Sequence, residues 1–328
     1  MSKQAILLVN LGTPDEPTAP AVKRYLAEFL GDPRVVELPR LLWLPILHGI
    51  ILRTRPAKSA AKYATIWTPE GSPLKVHTER QAKLLKGLLG QRGYPVPEQL
   101  RIEWAMRYGN PSIPAVLDRL MADGITDVLV LPLYPQYAGS TSASTEDAVN
   151  TWIKRQSRPP AIRWVKDYPT DPGYIGALAA SIREHWLAHG RGDKLIMSFH
   201  GIPQRSVDRG DPYADQCHAT ANALATALGL SAGQWMATFQ SRFGAAKWLQ
   251  PYTQPTLEEL ARGGLKRVDV LCPGFPADCL ETLEEISMEC REAFLHAGGE
   301  TFHYIPCLNE RPDWIAALAD LSLSRLGS

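Results

Sequence analysis

The chain has 328 residues, 45% apolar and 21% charged, a mixture that excludes a disordered chain and at this length favours two domains over one core. Its 35 basic and 34 acidic side chains leave a net charge of +1, so there is no electrostatic footprint for nucleic acid and no such partner is expected. The cysteines Cys217, Cys272, Cys279, Cys290 and Cys307 form no C-x-x-C pair, which argues against a zinc site or a disulfide framework and for reduced thiols in a cytoplasmic protein. Ser2 and Lys3 run straight into the first apolar segment, so no leader peptide is expected.

In chain order, apolar runs alternate with helically spaced segments. Strands are predicted at 5–10, 101–107, 127–131, 161–165, 194–200, 235–240, 268–271 and 301–304. Helices are predicted at 21–30, 78–89, 112–122, 144–154, 173–189, 214–228, 256–262 and 313–326, with one more following Asp278. This alternation predicts an α/β fold with parallel sheets covered by helices. The chain also repeats itself once. NLGTP at 10–14 matches FHGIP at 199–203, and DVLVLPLYP at 127–135 matches VDVLCPGFP at 268–276. Gly12 lies 120 positions before Pro132, but Gly201 lies only 72 before Pro273, so the first half carries an insertion, placed near 34–73. Two similar doubly wound, Rossmann-like domains follow, whose strand-end loops are expected to face each other across a cleft. The first is assigned to 1–165 and completed by a helix at 310–328; the second is assigned to 166–309.

The stretch Cys272–Glu289 carries the strongest local signal. An apolar strand is broken by Pro273, Gly274 and Pro276, and Asp278 then stands as the helix cap, with Glu281 three residues on. Glu281, Glu285 and Glu289 recur every four residues and share one α-helical face. Such a row is either a solvated face or, just past a strand's carboxyl end, a cation or proton path. His200 ends LIMSFH and opens a turn; it is either a satisfied turn residue or a partner for those carboxylates in acid–base or metal chemistry. No nucleotide-binding glycine motif and no G-x-S-x-G elbow follows any strand. Tyr134 and Ser140 after one strand, Arg107 and Tyr108 after another, and Trp248 suit a large flat anionic ligand.

The insertion holds LLWLPILHGIIL at 41–52, almost wholly apolar, with Arg40 before it and Arg53 and Arg55 after. It is too short to span a bilayer, and Pro45 and Gly49 are expected to interrupt a helix there. An exposed apolar lip that touches a membrane interface and borders the cleft is expected, in preference to a core helix.

Six segments resemble the ferrochelatase family: LLVNLGTPDEP at 7–17, AMRYGNPSI at 105–113, LPLYPQYAGSTSAS at 131–144, SFHGIPQRSVDRGDPY at 198–213, FQSRFGAAKWLQPYT at 239–253 and PGFPADCLETLEEI at 273–286. They cover the chain end to end in the family's order. The resemblance implies two similar domains with a porphyrin between them, and insertion of ferrous iron into protoporphyrin IX as the last step of haem synthesis; the alternatives are a coproporphyrin ferrochelatase or related cobalt chelatase and, after those, a non-enzymatic haem- or metal-binding protein. It implies His200 and Glu281 as the active-site pair that acts on the proton or the metal, and Asp278, Glu285 and Glu289 as a proton or metal path. Leu11, Arg53, Tyr63, Arg107, Tyr134, Ser140 and Trp248 match porphyrin-binding positions. Protoporphyrin IX, Fe2+ and neighbouring enzymes of the haem pathway are the implied partners, at the inner face of the cell membrane. Cys279 stands where some relatives have a second histidine, and Gly139 where cluster-bearing relatives have a cysteine. The residues after Asp320 include no cysteine, so no iron–sulfur cluster is expected and no cofactor beyond the substrate iron.

Overall fold

The structure, a computed structural model, describes residues 3–244 and 246–326. Met1 and Ser2 of the amino-terminal reading, Ala245 of the segment 239–253, Gly327 and Ser328 lie outside them.

The described strands form two four-stranded sheets, parallel throughout. The first contains β1 (Gln4–Gly12), β2 (Leu100–Tyr108), β3 (Asp127–Pro132) and β4 (Ala161–Trp164), in the spatial order β2-β1-β3-β4. The second contains β5 (Lys194–His200), β6 (Trp235–Gln240), β7 (Arg267–Leu271) and β8 (Thr301–Tyr304), in the order β6-β5-β7-β8. The two orders are the same rank for rank, so the sequence repeat is a structural one. NLGTP and FHGIP end the equivalent strands β1 and β5, and the two proline turns follow β3 and β7. The central strands read as unbroken apolar runs because helices cover both sheet faces and every residue of β3 is buried. Val9, Leu117, Val130 and Trp152 belong to one core, and Ile196, Val270, Ile286 and Phe294 to another.

The chain divides into two compact units. One takes the chain up to Tyr134, then 138–167 and the chain from Leu318; the other takes 135–137 and 168–317. The last helix, Pro312–Leu326, is therefore shared, where the sequence assigns 310–328 whole to the first half. The physical reason lies in its side chains. Trp314, early in the helix, packs its ring 6.2 Å from Tyr168 and 6.0 Å from Tyr174. Asp320, later, accepts a charged hydrogen bond from Arg92 at 2.5 Å.

Residues 40–66 make one helical run of three parts: Arg40–Ile46, a wide π-helical turn Leu47–Ile51, and Leu52–Ile66. Pro45 and Gly49 do not interrupt it, contrary to expectation, and the stretch Leu52–Ile66 was not anticipated as a helix. Pro45 removes a donor, and the π-turn shifts the hydrogen-bond register just beyond it. One stripe of the segment is buried through Trp43, Leu47 and Leu52, and the Trp43 indole donates to Leu30 O at 2.7 Å. The other stripe is open: Leu41 is 91% exposed, Leu42 66%, Ile50 57% and Ile46 40%. Among the described residues no helix is long and apolar enough to cross a membrane.

Candidate active site

In the second unit the chain passes from β5 to β6 on one side, then returns to β7 on the other side of β5. The carboxyl ends of β5 and β7 flank this reversal, the place where open α/β sheets bind ligands. His200 is the last residue of β5, and the turn after β7 leads to the glutamate helix. Gly201 lets the chain turn there. Its N–H donates to Gln240 O at 2.8 Å, and a Cβ would lie 2.8 Å from that oxygen and 3.2 Å from Trp248 Cε3. The His200 ring consequently sits between Trp248 and Phe275, with centroids 6.5 and 6.4 Å away. His200 Nδ1 is 2.7 Å from Gly201 O. A carbonyl only accepts, so Nδ1 carries a proton and donates it to Gly201 O, which leaves Nε2 as the ring nitrogen turned to the site.

The helix that follows differs from expectation in two respects. Asp278 does not cap it. Asp278 is buried, and its carboxylate accepts from Thr282 Oγ1 at 2.9 Å, from Asn309 Nδ2 at 2.6 Å and from the Tyr304 hydroxyl. Leu280, already helical in its dihedrals, precedes the first helical residue. Second, residues Glu281–Cys290 form a π-helix rather than an α-helix, continued as an α-helix over Arg291–His296. Gln240 Nε2 donates from outside to Glu281 O at 2.7 Å, which helps hold the wider register at the first turn.

The acidic row is graded from inside to outside. Glu281 and Glu285 are half-buried, and only Glu289 is the solvated residue of the bland reading. Glu284, which the spacing does not single out, is buried. The Glu285 carboxylate accepts from Ser241 N at 2.7 Å, from Ser241 Oγ, and more weakly from Gln240 Nε2 at 3.4 Å. Burial nonetheless raises the Glu285 pKa above its ordinary value; the Ser241 hydrogen bonds and the charge of His200 oppose the rise, and Glu281 adds to it. The Glu285 carboxylate thus lies within electrostatic reach of the strand-end imidazole. Buried Cys279 donates its thiol towards the Glu281 carboxylate, and burial pushes that thiol well up.

Gln240 and Ser241 are site residues that the sequence reading missed. Gln240 pairs with His200 in the sheet register and ends a mostly apolar strand, a signal available beforehand. Ser241 takes φ +65°, the left-handed region that non-glycine residues rarely enter, and this strain aims its N–H and hydroxyl at Glu285. That signal exists only in the folded chain.

The first unit places its expected residues differently. Half-buried Leu11 is near the end of β1 and is followed by Gly12 at φ +117°, where a Cβ would lie 1.8 Å from Tyr108 O. Arg107 bonds Asp32 Oδ2 at 2.5 Å and Ser144 Oγ at 2.8 Å, over the face of Tyr108. The Tyr108 hydroxyl and Ser144 Oγ also reach that carboxylate, each at 2.8 Å. Tyr134 is buried beside this network. Burial drives its phenol up, and its hydroxyl is turned towards Thr145, which opposes the rise. Ser140 is half-buried on the turn Gly139–Ala143. Tyr63 and Arg53 lie on another element, the helix Leu52–Ile66: Tyr63 is buried edge-on to Trp67 at 6.2 Å, and Arg53 is exposed.

A ferrochelatase family model matches residues 3–326. The chain belongs to the ferrochelatase family. It is 64% identical over 322 residues to the ferrochelatase of Methylibium petroleiphilum, covering 98% of this chain and 88% of that one. It is 62% identical over 325 residues to the ferrochelatase of Aromatoleum aromaticum, at 99% and 88% coverage. Among solved structures, SirB from Bacillus subtilis with Fe3+ aligns with a TM-score of 0.58 at 14% identity, over 99% of this chain and 98% of that one. The sirohydrochlorin chelatase SirB of subspecies spizizenii, in complex with cobalt, aligns with a TM-score of 0.52 at 13% identity, over 99% and 94%. These two likenesses show that this ferrochelatase-family member shares the α/β fold of chelatases.

Proposed function

We propose that this chain inserts ferrous iron into protoporphyrin IX to form protohaem, with release of two protons. Metallation must remove both pyrrole protons from the centre of a planar ring, so a base has to reach the ring face. Nε2 of His200 accepts a proton there, since Nδ1 is committed to Gly201 O. Glu285 is the next acceptor, and exposed Glu289 passes the proton to solvent. Glu281, half-buried at the start of the row, supplies a carboxylate oxygen to the incoming iron, a donor suited to a metal that must be released again. Asp278 contributes by holding the turn, because its oxygens are taken up by Thr282, Asn309 and Tyr304. Leu11, Tyr63, Tyr134, Ser140 and Trp248 serve the macrocycle and Arg53 its carboxylates, while Arg107, engaged by Asp32 and Ser144, holds the pocket wall.

The observation that carries this reading is the convergence of the glutamate row on the strand end that bears His200: Gln240, the register partner of His200, donates to Glu281 O at 2.7 Å and to the Glu285 carboxylate at 3.4 Å. The test is anaerobic mixing of the purified protein with iron(II) and either protoporphyrin IX or coproporphyrin III, followed by visible absorption. Protoporphyrin is expected to be metallated faster, and Glu281→Gln should lose most of the turnover while its circular dichroism stays that of the parent. Failure to metallate either porphyrin overturns the reading.

The open stripe Leu41, Leu42, Ile46 and Ile50 belongs to the same proposal as a peripheral membrane contact. Apolar surface left in water costs roughly 25 cal/mol per Å², so four such side chains on one face favour an acyl boundary, with Arg40 and Arg53 at the headgroups. No iron–sulfur cluster is part of the proposal. The five cysteines are buried, and burial keeps their thiols protonated, which makes them poor cluster ligands.

A further inference from the structure

The second unit holds another group of ligand-type side chains that the chemistry above leaves unused. His303 on β8 is the register partner of Asp269 on β7, so both side chains rise from the same sheet face. The helix Pro172–His189 crosses that face and brings His185 to them. One ligand atom from each of His185, Asp269 and His303 lies within 4.8 Å of the others. We propose that these three residues form an auxiliary binding site for a divalent transition-metal ion, separate from the His200–Glu281 pair that handles the iron substrate.

The carboxylate is arranged as a metal ligand is arranged. Asp269 is 1% exposed. Its Oδ2 is saturated by the Trp186 indole N–H and the Gly192 N–H, each at 2.7 Å. A Cβ on Gly192 would come within 2.9 Å of the carboxylate, so glycine is what lets the backbone donor approach. Oδ1 is left facing His303 Nδ1 at 3.2 Å. Outer hydrogen bonds that fix one oxygen and free the other are the usual support of a ligating carboxylate.

Charge and hydrogen bonding point the same way. A buried carboxylate requires a compensating cation, and the ion-pair partner that the described residues give Asp269 is an imidazole, charged only when protonated. His185 Nε2 is buried without a hydrogen-bond partner, a costly state for a ring nitrogen that a metal would relieve. Two imidazoles and one carboxylate suit zinc or ferrous iron better than calcium or magnesium. Bonds of about 2.1 Å in a tetrahedral site set donors about 3.4 Å apart, so closure requires movement of roughly 1 Å, within reach of side-chain rotation. Binding replaces the Nδ1–H to Oδ1 hydrogen bond with two metal bonds, and the His303 ring proton moves to Nε2. A depression lined by His185, His189, Cys307 and Arg311 adjoins the site on the His185 side. The ring of His189 lies beside His185, with centroids 4.6 Å apart, and lines the same depression.

Equilibrium dialysis of the full porphyrin-free chain against Zn2+ tests the site. The parent and His200→Ala should both retain the ion bound at the auxiliary site. His185→Phe and His303→Gln should each weaken that binding by at least about 10-fold, with iron-insertion turnover within about twofold of the parent. Unchanged Zn2+ stoichiometry and affinity in both folded variants overturns the proposal. Should those variants fail to fold, Co2+ added to His200→Ala decides instead: a tetrahedral visible band with imidazole scattering in X-ray absorption supports the site, and absence of the band rejects it.

Discussion

The carboxyl ends of β1 and β5 are equivalent places in two copies of one topology, yet the two units use them differently. In both, a glycine follows because a neighbouring backbone passes within contact of it, Tyr108 O at Gly12 and Gln240 O at Gly201. Around β1 the polar groups saturate one another. Arg107, Tyr108 and Ser144 all converge on one oxygen of buried Asp32, and the residue at the strand end is apolar Leu11. Around β5 the polar groups are held but not saturated. His200 keeps Nε2 free, and Glu285 accepts two hydrogen bonds from Ser241 while its pKa stays raised. A closed network is rigid and chemically inert; an incompletely satisfied one can exchange protons. Duplication supplied two frames, and among the described residues only the β5 end sets a histidine beside a glutamate of raised pKa.

The sharpest break of this comparison is His200→Ala against Leu11→Ala. Loss of a positioned base should lower kcat by about 10²- to 10⁴-fold, whereas trimming Leu11 should raise KM and leave kcat within roughly 10-fold. Equal effects on kcat would show that the two ends share the chemistry. Next in size is Arg107→Ala. Removing the cation leaves the Asp32 carboxylate buried and uncompensated, and unfolding in urea should show a loss of about 3–5 kcal/mol. Arg107→Lys should recover only part of that, since one ammonium does not reproduce the forked contacts to Asp32 and Ser144.

Glu285→Gln comes third, with an effect that depends on pH. The folded carboxyl binds its proton more tightly than the unfolded one, whose ordinary pKa is 4.5. Its favourable contribution is thus complete below about 4.5 and is lost as pH rises through the raised value. Glu285→Gln should therefore be more stable than the parent at neutral pH, with the gap closing on acidification, while turnover falls about 10-fold. A gap that widens in acid would mean that the Ser241 bonds outweigh burial. The smallest effect on the fold is expected for the triple change Leu42→Ser, Ile46→Ser and Ile50→Ser. These side chains are open to water, so each should move stability by no more than about 0.5 kcal/mol, while co-sedimentation with anionic liposomes weakens.

The sequence by itself determined the α/β class, the strand positions and the duplication. Those depend on local periodicity and on turn residues, which act within a few neighbours. It also marked His200 and Glu281, since polar residues just past apolar strands stand out in the string. Only the tertiary structure decided the rest. The π register at Glu281–Cys290 differs from an α register by one residue per hydrogen bond, a small energy that contacts such as Gln240 Nε2 to Glu281 O are able to tip. Asp278 has the composition of a cap, but Tyr304 and Asn309, brought from far along the chain, claim its oxygens. The raised pKa of Glu285 likewise belongs to no motif. It arises from burial, which outweighs the opposing influence of Ser241 and His200, 44 and 85 positions away, and only folding brings those groups together.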